Sequence, residues 1–307
     1  MANYNPCPAA MSKLARLAMS APGTDSPITQ WFTFRSFNTG TTEELIDLGR
    51  DTTQGSRSHA VQNSRDNLRR LAPTMSLKPT AIQWGNLLPW IFCGLQTGTG
   101  PYTFALGERE VARKISYDDT QTVWEFDRVV VDEATISASQ GGELGLELSC
   151  VGRDWTTGNA FPASGLVADL TTPFIMSDLS VSVGATSAVK CRDFRLTVRN
   201  VISRERFFNS RTIACAVATD REVSLSMSMP YGLHQALYRA GAGPAGVAVS
   251  GTFTFGAASL AFNMPHVKTP GNPFSASVPD EIMMDWTGTA MATLPGNELS
   301  ASLTLAP

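Results

Sequence analysis

Three histidines, His59, His234 and His266, are the only imidazoles in the chain. They fall in a polar loop, a short helix and a late strand, so neither a metal cluster nor a catalytic dyad is expected from them. Five cysteines, Cys7, Cys93, Cys150, Cys191 and Cys215, are widely separated and odd in number. That spacing fits neither a disulfide framework nor paired zinc ligands, and reads as reduced, mostly buried thiols in a chain folded in a cytoplasm. The acidic pairs Asp118-Asp119 and Asp132-Glu133 cannot flank one scissile bond, because adjacent residues of a strand point to opposite faces. Solvated turns and strand edges are their expected setting. Gly94, Gly98, Gly100 and Gly107 would cradle a phosphate only between a strand and a following helix. Here they follow a helix and precede β-type sequence, so a helix stop and a hairpin turn are expected. No G-x-S-x-G elbow occurs and no local motif assembles a triad. No catalytic, cofactor or metal residue is therefore assigned.

Arginines are the charged groups that cluster. Arg50 and Arg57 lie in a long polar stretch between residues 38 and 70, Arg65, Arg69 and Arg70 close it, and Arg204, Arg206 and Arg211 occupy a second loop. Such clusters can hold phosphate. Interspersed Asp66 and Glu205, with a formal net charge of -3, point instead to ion pairs between subunits. The acidic balance also argues against sequence-specific DNA binding, which needs a basic face.

The elements that must carry these loops repeat. Strand, short helix and three further strands run from Leu71–Leu77 through Ala81–Leu95 to segments near 111–117, 123–137 and 143–152. The same order runs from Val223–Met229 through Leu233–Arg239 to segments near 246–255, 258–268 and 281–291. The offset is about 150 residues, and a fixed offset marks a duplicated module. Pro89 predicts a kink or early stop in the first helix. Residues 28–37 read as one strand, whereas Ala9–Met19 is weakly helical within an N-terminal arm, residues 1–27. Alternation at 133–138, 143–148, 179–183 and 223–229 places Ser and Thr on one strand face and apolar residues on the other. Charged residues form 17 % of the chain, below the usual figure of about 25 %, as expected where neighbours cover the surface. No secretion signal and no membrane-inserting run is expected.

This order of elements resembles the tail tube (major tail) proteins of long-tailed bacteriophages, in the form that carries two modules. The resemblance rests on the run Leu77–Leu95 feeding Tyr117–Val131, on Ala134–Leu148, on Arg192–Asn200 and on Phe262–Val267. It covers about residues 28–292. It implies a mainly β fold of two tandem β-sandwich modules, each with one short flanking helix, joined around a ring with an inner β-barrel. The expected division is an arm over 1–27, a first module over 28–165 with its long loop at 38–70, and a second module over 166–307. The implied partners are further copies of the chain, as a trimer with pseudo-sixfold symmetry or as a hexamer, with rings stacked into a tube. Tail terminator, tail tip and tape measure proteins are also implied, with DNA passing through the lumen without sequence specificity. No cofactor is implied. The implied location is the virion tail, assembled in the bacterial host cytoplasm, with a lumen lined by parts of 123–152 and 189–229. A receptor-binding or decoration protein of the virion is the alternative, and a β-sandwich hydrolase the third.

Overall fold

The computed structural model describes residues 15–21, 27–47, 64–162, 171–230, 241–243, 245–269, 274–275 and 283–306. In the first half the strands are β1 (Arg16–Ser20), β2 (Ile28–Phe32), β3 (Phe34–Asn38), β4 (Thr41–Asp47), β5 (Ser64–Leu71) and β6 (Thr74–Leu77). After the helix α1 (Ala81–Ile91) come β7 (Gln96–Thr97), β8 (Tyr102–Ala105), β9 (Arg113–Asp118), β10 (Val123–Ser139), β11 (Gly145–Val151) and β12 (Asp154–Thr157). The second half contributes β13 (Leu179–Val183), β14 (Thr186–Val189), β15 (Asp193–Arg199), β16 (Glu222–Pro230) and β17 (Val247–Phe255). It ends with β18 (Ala258–Lys268), β19 (Phe274–Ser275), β20 (Met283–Ala290) and β21 (Ser300–Thr304). The fold is mainly β, as expected, and every pairing is antiparallel.

The strand pairings themselves are duplicated. One sheet of the first half runs β2-β1-β9-β10-β12, and its counterpart runs β14-β13-β17-β18-β21. The facing sheet of the first half runs β3-β6-β11-β10, and its counterpart runs β15-β16-β20 with β18 and β19 both on the far side of β20. Two sandwiches of one design follow, and the strand β10 joins them by pairing with β15 from Glu133↔Arg199 to Ser139↔Asp193. The result is one long sheet, β3-β6-β11-β10-β15-β16-β20-β19. Among the described strands the pairings branch but do not close on themselves.

Bends carry single strands between layers. Residues 28–37 form two strands rather than one, with Thr33 between them: β2 enters one sheet and β3 the other. β10 does the same along its 17 residues, pairing β9 and β12 first and β11 and β15 later. Its turning point lies at Arg128, at φ 49°, where the ladder shifts register between Phe126 and Val129. A bulge of this kind lets one strand serve two packed sheets.

α1 begins at a capping box. Thr80 Oγ1 accepts from the Gln83 amide at 3.4 Å and Gln83 Oε1 from the Thr80 amide at 3.3 Å. It stops at Ile91, two residues after Pro89, and Cys93 then turns the chain at φ 55°. The helix is buried on nearly every side from Trp84 through Ile91. The reason is its position: α1 touches β10 of its own half and β18 and β21 of the other. A helix apolar all round belongs inside. Trp84 meets Phe262 edge-on at 6.4 Å, and one core cluster runs without a break through both halves. Residues 233–239, expected as the second helix, lie outside the described residues.

Two further expectations change. The end of the weakly helical stretch Ala9–Met19 falls in the strand Arg16–Ser20, with Leu17, Ala18 and Met19 fully buried between β2 and β9. Tertiary pairing overrides a weak helical propensity there. The two ends of the long polar stretch 38–70 are strands rather than loop: β4 and β5 pair from Thr41↔Leu71 to Asp47↔Ser64. Alternation was hidden by the charged residues that line both strands of this hairpin. Among the described residues no helix is long and apolar enough to cross a membrane.

Candidate functional site

The joint between β10 and β15 sits in the middle of a broad face. Along β6, β11, β10, β15, β16 and β20 every second residue is buried, including Met75, Leu77, Leu146, Leu148, Ile136, Leu196, Leu225, Met227 and Trp286. The alternate positions form polar rows across the strands. One row reads Ser36, Ser76, Glu147, Thr135, Thr197, Ser224, Thr289. A second reads Asn38, Thr74, Ser149, Glu133, Arg199, Glu222, and a third includes Ser137, Arg195, Ser226 and Thr287. Period-two sequence dictates this division, since a one-residue slip would invert both faces.

Hydroxyls dominate the face and its charge is acidic on balance. Glu133, Glu147, Asp193, Glu222 and Asp285 outnumber Arg195 and Arg199 on these strands, with Lys268 beside them at the end of β18. Such a surface binds water through Ser and Thr and lacks the cation density that releases counterions from a nucleic acid. Two shallow depressions open on it. One, of about 300 Å³, is lined by Ser76, Glu133, Thr135, Glu147 and Arg195 among others, and the second, of about 420 Å³, by Thr197, Ser224, Ser226, Thr287 and Thr289.

The arginine loops leave one rim of the same sheet. β3 and β15 hold equivalent places, so the connection 39–73 and the connection 200–221 are equivalent too, as their order in the sequence implied. Arg69 pairs with Glu43 and with Asp154, each at 2.7 Å, and lies over the Trp155 ring at 4.0 Å. Arg70 pairs with Glu44 at 2.9 Å and with Glu205 of the second loop. Arg211 pairs with Asp66 at 3.3 Å, and its carbonyl accepts from the Arg69 amide at 2.7 Å. Arg204 pairs with Asp132. Arg65 is exposed and Arg206 half-buried, and Arg50 and Arg57 lie outside the described residues. Within one chain these groups already tie the first loop to the second.

Some groups set aside in the sequence matter here. Asp132 accepts from the Ile202 amide at 2.8 Å as well as from Arg204, so it clasps the joint between the halves rather than a solvated edge. Asp118 is buried and paired with Arg16. Arg221 donates to the Gly107 carbonyl and lies 3.5 Å from Glu298. Arg113 is fully buried, donating to the carbonyls of Ser20 at 2.9 Å and of Asn86. Burial pushes its guanidinium down to about 9, which leaves it charged at neutral pH. No local motif announces these contacts, since each partner lies far away in sequence.

The remaining candidates stay structural. Gly94 and Gly107 face each other's segments so closely that an added Cβ would stand 2.0 Å from the Ala105 or the Cys93 carbonyl oxygen. They bring β8 back beside the helix end, while Gly98 and Gly100 serve the β7-β8 turn with positive φ. His266 Nδ1 lies 3.3 Å from the Ala245 carbonyl, and His59 and His234 lie outside the described residues. Cys93 and Cys150 are buried, Cys191 is half-buried and Cys215 exposed, all as free thiols, and Cys7 lies outside the described residues. Burial, with Asp193 nearby, pushes the Cys191 thiol up to about 11. Among the described residues no group of His, Cys, Asp and Glu is placed to hold a metal ion.

Comparison with protein families matches residues 10–297 to the family described as phage tail tube protein. No curated protein matches the chain.

Proposed function

The chain belongs to the phage tail tube protein family, and on that premise we propose that three copies close each ring of the tube, with six equivalent modules around it. As a structural tail tube protein of a virion, it assembles with itself into the stacked tube that conducts the genome. The duplicated strand pairing carries the stoichiometric proposal. Each half supplies one four-strand unit to the long sheet, and the β10:β15 pairing shows how two units meet. A third and further units added by the same operation turn the sheet through a circle, which removes the open edges that invite aggregation.

Size supports three copies. Eight strands per chain at about 4.8 Å spacing and about 40° tilt give a closed barrel about 48 Å across its backbone for three chains, against about 32 Å for two. Side chains take about 10 Å of that bore, so three copies leave ample room for a DNA duplex and two leave little. The polar face lines the bore in this proposal, which would place strands of 123–152 and 193–230 there. An excess of carboxylates over cations and many hydroxyls would let DNA slide without sequence preference. The bore would hold a tape measure protein before DNA, and terminator and tip proteins would cap the ends. Assembly would take place in the host cytoplasm, and the chain would act by assembly rather than by catalysis. The rim loops with Arg50, Arg57, Arg65, Arg69, Arg70, Arg204, Arg206 and Arg211 would face the next ring or the adjacent subunit. The receptor-binding or decoration alternative draws no support from family membership.

Electron microscopy of the purified chain over a range of concentrations tests this. Rings or tubes with a central hole and three chains per ring are expected. Compact particles without a hole at every concentration would overturn the proposal.

A further inference from the structure

Among the described residues the long sheet ends in two edges without a partner strand: β3 on one side, and β19 with the end of β18 on the other. The within-chain joint is a template for what covers them. Through their partners on β6 and β16, Phe37↔Met75 corresponds to Phe194↔Met227, and Asn38↔Thr74 to Arg195↔Ser226. Through β11 and β20, Ser137↔Gly145 corresponds to Ser275↔Met283, because Leu77↔Leu146 corresponds to Met229↔Met284. Inside the chain, Ser137 stands opposite Arg195.

We propose that the β3 edge of one copy pairs antiparallel with the β19 edge of the next, in the register that sets Asn38 opposite Ser275. This rests on the ring reading above and adds to it the two edges and their alignment. The occupant is a second copy of this chain because only β3 has the backbone, partner strand and handedness that β15 presents to β10. No intrachain contact can imitate the pairing. The two edges lie seven ladder steps apart, about 34 Å at about 4.8 Å per step.

Residues directly opposite in an antiparallel ladder have Cα atoms about 4.5–5.5 Å apart, within disulfide reach. The double variant Asn38→Cys/Ser275→Cys, assembled and mildly oxidised, is expected to give covalent dimers and trimers on a non-reducing gel, at least ten times the level in either single variant. A ladder that climbs to six would keep the joint and overturn three-chain stoichiometry. Rings seen by microscopy with no links beyond the single variants would overturn the joint and leave the tube reading intact. Absence of rings at any concentration in the unsubstituted chain would overturn both. Hydrogen exchange on that unsubstituted chain needs no variant: amides of residues 34–38 are expected to slow at least tenfold on assembly, and equal rates in dispersed and assembled protein would overturn the pairing.

Discussion

The two halves share a sheet plan and differ in what braces it. In the first, β4 and β5 extend the rim connection into a hairpin held by Arg69 and Arg70. In the second, the corresponding residues 200–221 form a short irregular loop with one isolated bridge, Ile202↔Ala218. The outer edges differ as well. β21 is covered by β8, a strand that the first half lends to the second, whereas its counterpart β12 has no such strand among the described residues. The difference teaches that the strands meeting edge to edge hold to one plan, while rims and outer layers are free to diverge. It also makes the halves interdependent, since α1 and β8 both pack across the boundary.

That interdependence can be broken at its centre. Trp84→Ala removes a fully buried indole that touches Phe262 of the other half. It should cost about 3–5 kcal/mol, read as a single cooperative denaturant transition shifted as a whole. Two separate transitions would show instead that each half folds alone.

Arg113→Ala sharpens the contrast, because β17, the counterpart of β9, carries no basic residue. Removing the guanidinium strips the Ser20 and Asn86 carbonyls of a donor and should cost about 2–3 kcal/mol. Hydrogen exchange should rise at β1 and β9 before β13 and β17; an equal rise in both halves would contradict local bracing.

Gly107→Ala tests the lent strand. Its Cβ would meet the Cys93 carbonyl at 2.0 Å, so the segment must move, at about 1–2 kcal/mol. Faster exchange at β21 with β12 unchanged is expected.

The smallest effect concerns the β3 edge. A hydrogen bond from Lys78, with Arg35 nearby, holds the Glu143 carboxyl below its usual 4.5 despite opposing desolvation. A depressed folded value contributes stability that is complete above the unfolded value and lost as pH falls through the folded one. Glu143→Gln should therefore lower the melting midpoint slightly at pH 7, by an amount that shrinks as pH falls below the usual carboxylate range. A deficit that does not shrink on acidification would assign the effect to packing.

Much of this was legible in the residues. Period-two alternation at 133–138 and 223–229 set which faces are polar, the offset between Leu71–Leu77 and Val223–Met229 marked the duplication, and Pro89 announced where α1 ends. Other features were not. β1 looked helical because its partners β2 and β9 are distant in sequence, and β8 could not be placed because its partner β21 lies about 200 residues on. The arginine clusters were visible, yet their carboxylates at Glu43 and Glu44, Asp132 and Asp154 came from three different places in the chain.

By itself, then, the sequence determined local periodicity, the repeat and the balance of charge, because each depends only on neighbouring residues or on a fixed offset. Only the tertiary structure decided which edges are paired and which stay open, where α1 is buried and which carboxylate meets each arginine. Those outcomes depend on long-range pairing, in which many strands of like composition compete and packing of the whole selects one arrangement.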